Sequence, residues 1–165
     1  GDSNQPKDTL DILRRCRDQR KSIIKKINNV YPDITFENCT DAHGKSILNY
    51  DEQGLFEATI ENREIQIEAL DELKKDTIDH NRIGDLFIKH HAVLRDKLKV
   101  STSKIDKMIQ ASIEAGALGG KISGSGGGGC MFAYAPENPL DVAQAIKNAG
   151  GTAVIIHADD GTRID

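Results

Sequence analysis

The 165-residue sequence has no tryptophan, and phenylalanine and tyrosine together bring the aromatic share to only 4%. Proteins that bind single-stranded nucleic acid stack bases on aromatic rings, and most nucleic-acid interfaces carry a basic face. Here acidic residues outnumber basic ones, for a formal charge of −4 at pH 7. The composition therefore argues against a nucleic-acid partner.

Long hydrophobic runs are also missing, because no apolar stretch approaches the ~18 residues of a membrane-spanning helix. We therefore expect no membrane partner. The three cysteines, Cys16, Cys39 and Cys130, follow no zinc-ligand spacing and cannot all pair with one another. Because reduced thiols are typical of the cytosol, the expected location is cytoplasmic, and no metal site is predicted.

The chain opens on Gly1 in place of methionine. A leading glycine of this kind is typical of an expression scar, so it is excluded from fold reasoning. Residues 2–165 are expected to form one domain excised from a longer protein. A chain of this size can bury a core without disulfides or metals.

Glycine, by contrast, is concentrated in one place. Five of the six residues from Gly124 to Gly129 are glycine, between apolar flanks that are typical of short strands. Glycine costs conformational entropy, so such a run is expected only where φ is positive or where something approaches the backbone closely. A flexible linker is disfavoured, since linkers join polar segments.

Converging amides of a glycine turn form an anion-binding concavity, and serine hydroxyls can add contacts to phosphate or sugar oxygens. Lys121 is expected to be solvated. Close packing of two backbones is an alternative explanation of the glycines. The predicted substrate and phosphate contacts are Ser123, Gly124, Ser125, Gly126, Gly127, Gly128 and Gly129.

Apolar residues at intervals of three and four predict five helices. The first begins near Pro6, with Asp8 or Thr9 as cap. Its apolar positions are Leu10, Leu13, Cys16 or Arg17, Ile23, Ile24 and Ile27. The others cover about residues 52–75, then 79–97, 104–115 and 140–148. In the helix at 52–75 the apolar positions are Leu55, Ala58, Ile65, Ile67 and Leu70, and Leu73 closes it. Residues 32–50 are expected to be irregular.

Strands are predicted at residues 121–123, 130–135, 152–157 and 162–164. Helices precede strands along most of the chain, a pattern typical of the α+β class. We therefore expect helices packed on one face of a small antiparallel sheet.

Residues 90–101, 105–106 and 115–130 together resemble the C-terminal domain of GHMP kinases, a family that includes galactokinase, homoserine kinase and mevalonate kinase. The likeness is good over about residues 80–135 and extends to the fold, a ferredoxin-like plait. It implies ATP and Mg²⁺ as cofactors, bound mainly by the family's N-terminal domain, which would be this chain's partner. The ATP motif of that domain, Pro-x-x-x-Gly-Leu-Gly-Ser-Ser-Ala, is absent here, so no catalytic residue is assigned.

The resemblance implies a sugar substrate. Residues 94–96 with Val100-Ser101 are similar to galactokinase, although galactokinases carry a phenylalanine within the glycine run. Residues 116–121 look like kinases of heptose 7-phosphate, and the Gly-Gly-Gly-Gly-Cys sequence also occurs in mevalonate kinases. The expected function is thus one half of a galactokinase-type enzyme, inactive alone, and the alternative from another class is a ligand-binding module without turnover.

Overall fold

The structure, a computed structural model, describes residues 1–7 and 9–157. Within them the helices are α1 Thr9–Asn28, α2 Asp41–Lys45, α3 Tyr50–Leu73, α4 His80–Ala92, α5 Ser103–Glu114 and α6 Pro139–Asn148. Strands β1 Gly119–Ile122 and β2 Met131–Tyr134 form an antiparallel pair. The α+β class is confirmed.

Side-chain caps explain where three helices begin. Asn49 accepts from the Glu52 amide while the Glu52 carboxylate accepts from the Asn49 amide, a reciprocal capping box at the start of α3. Asp79 caps α4, and Thr102 caps α5. The predicted third helix does reach residue 97, but its last five residues, Val93–Lys97, form a π-helical turn.

A core lies between the β hairpin and helices α5 and α6. It buries Ile105, Met108, Ile109, Ala117, Ile122, Met131, Val142 and Ile146. The first residues of the chain extend this sheet, because Asp2 forms antiparallel bridges to both Cys130 and Thr152. Gly1, excluded at the sequence level, takes part as well, since its amino group donates to the Met131 carbonyl at 2.9 Å.

The predicted strand at 152–157 is wrong beyond its first residue. Only Thr152 is bridged, to Asp2, and Val154 and Ile156 are 75% and 79% exposed. A β-rich sequence becomes a strand only where a neighbour pairs with its backbone, and Asp2 supplies a single bridging position. The predicted strand at 162–164 lies outside the described residues, as does Asp8.

A second core joins α1, α2 and α3. It contains Ile23, Ile27, Cys39, Leu48, Phe56 and Ile60. The predicted apolar face of α1 is wrong at its start, where Leu10 and Leu13 are exposed and Ile12 packs inward instead. It is confirmed further along, where Cys16 packs inward and Ile23 and Ile27 are buried. Among the described residues, no other element covers the two leucines.

The predicted apolar positions of α3 are confirmed in part. Ala58 and Ile65 are buried, as are Phe56 and Ile60, whereas Ile67, Leu70 and Leu73 are exposed. The apolar residues of this helix lie on all sides of it, so their spacing does not indicate which side is buried. In the region predicted to be irregular, Asp41–Lys45 forms the short helix α2, whose Gly44 lies against the Phe56 ring. In the ranges 1–7 and 9–157, no helix has the length and apolarity needed to cross a membrane.

Candidate functional site

The glycine run forms the loop between β1 and β2, and two other glycines set the position of that hairpin. A Cβ on Gly119 would lie 2.1 Å from the Gly84 carbonyl oxygen, and one on Gly84 would lie 2.3 Å from that of Leu118. Real Cβ atoms do not approach carbonyls so closely, so only glycine lets α4 lie directly against β1. The loop is thus attached to a rigid helix–strand pair.

The loop itself requires glycine at most of its positions. The φ angles of Gly124, Gly126, Gly127, Gly128 and Gly129 are +78°, +83°, +74°, +116° and +72°. Residues other than glycine rarely adopt φ values in this left-handed region. The prediction of several positive φ angles is confirmed.

The chain's own backbone also approaches the loop, as the packing explanation of the glycines proposed. The Gly127 amide donates to the Val100 carbonyl at 2.8 Å, and a Cβ on Gly126 would lie 2.4 Å from that same oxygen. On the other side the Gly129 amide donates to Gln5, and a Cβ on Gly128 would lie 2.8 Å from the Pro6 carbonyl oxygen. The loop is therefore held between Val100 and the first segment of the chain.

The predicted site residues come together, but they are not equally accessible. Gly126, Gly128 and Gly129 are buried, Gly124 is exposed, and the remaining three residues are half-buried. Within residues 1–7 and 9–157, nothing accepts a hydrogen bond from the amides of Gly124, Gly126 and Gly128. Such amides carry partial positive charge and suit an anion.

Lys121, expected to be solvated, is half-buried beside the loop. Its Nζ donates to the Ile122 carbonyl at 3.1 Å and lies 5.4 Å from the centre of the Phe132 ring. Burial lowers the pKa of this amine, and no carboxylate in the described part of the chain pairs with it. The site therefore carries a desolvated positive charge at the start of the loop.

Two histidines of α4 lie next to this lysine. His91 is buried and His90 is half-buried. Burial, with the nearby Lys121 charge second, lowers the pKa of His90 to about 4, so it is neutral at pH 7. Burial likewise lowers the pKa of His91, although its bond to the Asp106 carboxylate opposes the shift.

The described residues provide no metal centre. No group of three or more histidine, cysteine, aspartate or glutamate side chains in them is arranged to hold an ion. Cys16, Cys39 and Cys130 are free thiols. What the site offers chemically is backbone amides, two serine hydroxyls and two lysines, Lys121 and Lys7. The Nζ of Lys7 lies beside Gly124 and Gly129.

Sequence reasoning missed the residues that hold the loop, namely Val100 and Gln5. Nothing in their residue types indicates such contacts, because the bonds come from main-chain carbonyls. It also missed the contact between His91 and Asp106, 3.0 Å from Nε2 to Oδ1, although the residues of the family resemblance include both.

The family model of the GHMP kinases C terminal matches residues 66–152. The chain belongs to the GHMP kinase family. A mevalonate kinase of Thermococcus sibiricus is 48% identical to this family member over 89 residues, which are 53% of this chain and 26% of that enzyme. A mevalonate kinase of Pyrococcus abyssi is 43% identical over 104 residues, 62% of this chain and 30% of that enzyme.

A galactokinase of Mycobacterium tuberculosis is 33% identical to the GHMP kinase chain over 76 residues, 46% of this chain and 21% of that enzyme. The crystal structure of Lactococcus lactis galactokinase complexed with galactose superposes with a TM-score of 0.73 at 18% identity. That match covers 90% of this chain and 41% of the galactokinase. The matched part thus spans about a quarter of the curated relatives, and in the galactokinase this fold is one part of a longer chain.

Proposed function

We propose that this chain is the C-terminal domain of an ATP-dependent kinase that phosphorylates a hydroxyl group of a small molecule, with residues 2–165 forming that domain. GHMP kinases use ATP, typically with Mg²⁺. The observation that carries the proposal is the glycine loop, in which the amides of Gly124, Gly126 and Gly128 have no acceptor within the described chain and Gly124 is exposed. A phosphate or a polar substrate is the ligand that such amides fit.

The chain's own residues act by positioning. The substrate alcohol attacks the γ-phosphorus of ATP and ADP leaves, a reaction that enzymes accelerate mainly by alignment and charge stabilisation. Ser123 and Ser125 can donate from their hydroxyls, and Lys121 adds a positive charge beside the loop. Because the described residues include no cluster of metal-ligating side chains, an N-terminal nucleotide-binding domain would complete the site, which would lie between the two domains.

The relatives favour mevalonate as the substrate over the sugar expected from the sequence. The mevalonate kinases reach 43–49% identity, whereas the galactokinases reach 33%. Sequence analysis ranked galactokinase first on residues 94–96 and 100–101, a short motif. The identity over the longer aligned stretch outweighs it, and the all-glycine loop agrees with the relatives' ranking.

Galactose is the second candidate, favoured by the fold. The galactokinase complexed with galactose superposes on 90% of this chain, whereas the mevalonate kinase alignments cover 51–62% of it. At 18% identity this likeness concerns the fold alone. Heptose 7-phosphate remains a third substrate to include in a panel.

The test uses the complete gene product and measures ADP release with mevalonate, galactose and heptose 7-phosphate. We expect turnover with mevalonate, loss of turnover in Gly127→Val, and no turnover by residues 1–165 alone. A branched side chain at Gly127 cannot readily keep φ at +74°. Near-normal turnover of Gly127→Val, or phosphorylation by the isolated chain, would contradict the proposal; tight ligand binding without turnover would favour a binding module.

A further inference from the structure

A chain of side-chain hydrogen bonds runs behind the glycine loop and begins at a buried histidine. His91 Nε2 lies 3.0 Å from Asp106 Oδ1, and His91 Nδ1 accepts from the Ile122 amide at 3.4 Å. Since Nδ1 is the acceptor, the neutral ring carries its proton on Nε2 and donates it to the carboxylate. Ile122 is the last residue of β1 and directly precedes the loop.

The same carboxylate continues the chain to the other side of the loop. The Ser101 hydroxyl donates to Asp106 Oδ1 at 2.6 Å. Ser101 follows Val100, whose carbonyl accepts from the Gly127 amide in the middle of the loop. Asp106 lies on α5, His91 on α4 and Ile122 on β1, so the His91–Asp106 pair links three elements.

We infer that the His91–Asp106 pair is a positioning device that fixes both the entry and the middle of the glycine loop, and that it works only while His91 is neutral. A protonated ring would turn an N–H towards the Ile122 N–H, and that bond would be lost. Any effect of the His91–Asp106 pair on turnover rests on the proposed kinase function, whereas its positioning of the loop does not.

The charges around His91 set the direction of the pH effect. Asp106 favours the protonated ring, whereas Arg95 and Lys121 disfavour it, as burial does most strongly. His90 is the neighbouring titratable group on α4, and Asp96 lies on the π-helical turn. Because the pKa of His91 in the folded state is below 6.5, the ordered loop is present above pH 6.5 and is lost as pH falls through the folded value.

The first test measures amide hydrogen exchange by NMR on residues 1–165 without nucleotide. In Asp106→Asn and in His91→Gln, we expect the Ile122 and Gly127 amides to exchange about tenfold faster or more, together, because a hydrogen bond to a charged group is lost. Asp96→Asn is the matched control, since it removes the same charge nearby but its carboxylate pairs with Arg95. Equal acceleration at amides of the core, or none at the loop, would overturn the inference.

A second measurement separates positioning from general stability. In the wild type, side-chain ¹⁵N shifts should show the Nε2–H tautomer of His91, and loop protection corrected for intrinsic exchange should fall below pH 6.5. In His91→Gln this pH dependence should vanish. A Nδ1–H tautomer, or an unchanged pH dependence in the variant, would contradict the inference.

In the complete kinase, His91→Gln should lower kcat at least tenfold while the KM for ATP changes little, with the low-pH limb of the rate profile removed. Should the exchange results hold and the complete protein phosphorylate nothing, the proposed function fails and the positioning stands. Should the enzyme be active and the loop amides unaffected, the positioning fails alone.

Discussion

Two regions of this molecule are held together by different physics. The helices α1 to α3 enclose a core of large apolar side chains around Phe56, which is 2% exposed. The β1–loop–β2 hairpin instead depends on backbone geometry, with five positive φ angles and glycines placed where a Cβ would clash. We expect the first region to exchange one apolar side chain for another of similar volume, whereas the second leaves no room even for a methyl group at Gly126 and Gly128.

The comparisons with relatives follow the same division. The family model matches residues 66–152, which include the hairpin, and leaves out almost all of the first region. The galactokinase structure covers 90% of the chain at 18% identity, so the fold extends further than the sequence likeness does. Constraints on backbone conformation specify residue types, while a helical core specifies only that a position be apolar.

The largest expected effect comes from emptying the helical core. Phe56→Ala should reduce the free energy of unfolding by about 3–5 kcal/mol, because it removes a buried ring and leaves a cavity. Phe56→Leu is the control and should cost less than about 1.5 kcal/mol. Denaturant titration followed by circular dichroism measures both. Similar costs for the two variants would show that this region is not tolerant of apolar exchange.

The opposite result is expected in the loop, where the smallest substitution is costly. Gly126→Ala places a Cβ about 2.4 Å from the Val100 carbonyl oxygen at a φ of +83°. Strain and overpacking together should cost roughly 2–4 kcal/mol. The measurement is the same titration, and a loss below that of Phe56→Leu would abolish the distinction between the regions.

A third effect concerns His90 on α4, which packs beside the hairpin. The folded-state pKa of His90 is about 4, below its ordinary 6.5, so the folded state prefers the neutral ring. The stability it contributes is fully present above pH 6.5 and is lost as pH falls from 6.5 towards 4. Thermal melts across this range should show the decline.

His90→Gln is the comparison for that experiment. In the plot of melting temperature against pH, the variant should lose the decline caused by His90 and keep the decline caused by His91. The pairs Lys26–Glu52 and Lys75–Glu72 lower the pKa of their glutamates below 4.5, so those groups act mainly at the acid end of the window. A profile that is unchanged in His90→Gln would show that the ring is not desolvated in solution.

The two regions also differ in how well the sequence predicts them. The glycines at positions 124 and 126–129 predict positive φ angles directly, because glycine costs conformational entropy and is retained mainly where other residues cannot adopt the required φ. In contrast, Leu10 and Leu13 mark an apolar face of α1 without saying whether a neighbour covers it, and they are exposed. The bonds to the carbonyls of Val100 and Gln5 could not be predicted, since any residue type supplies a carbonyl.

The smallest expected effect involves a glycine of the helical region, Gly54. It lies within α3, and nothing stands within 4 Å of a Cβ added there. Alanine fits the helix and restricts the unfolded chain, so Gly54→Ala should raise the free energy of unfolding by about 0.5–1 kcal/mol. The same chemical change thus stabilises the protein at Gly54 and destabilises it at Gly126. Denaturant titrations of Gly54→Ala and Gly126→Ala measure the two changes in the free energy of unfolding. Changes of the same sign would mean that φ and the space around Cβ do not determine the effect of replacing a glycine in this fold.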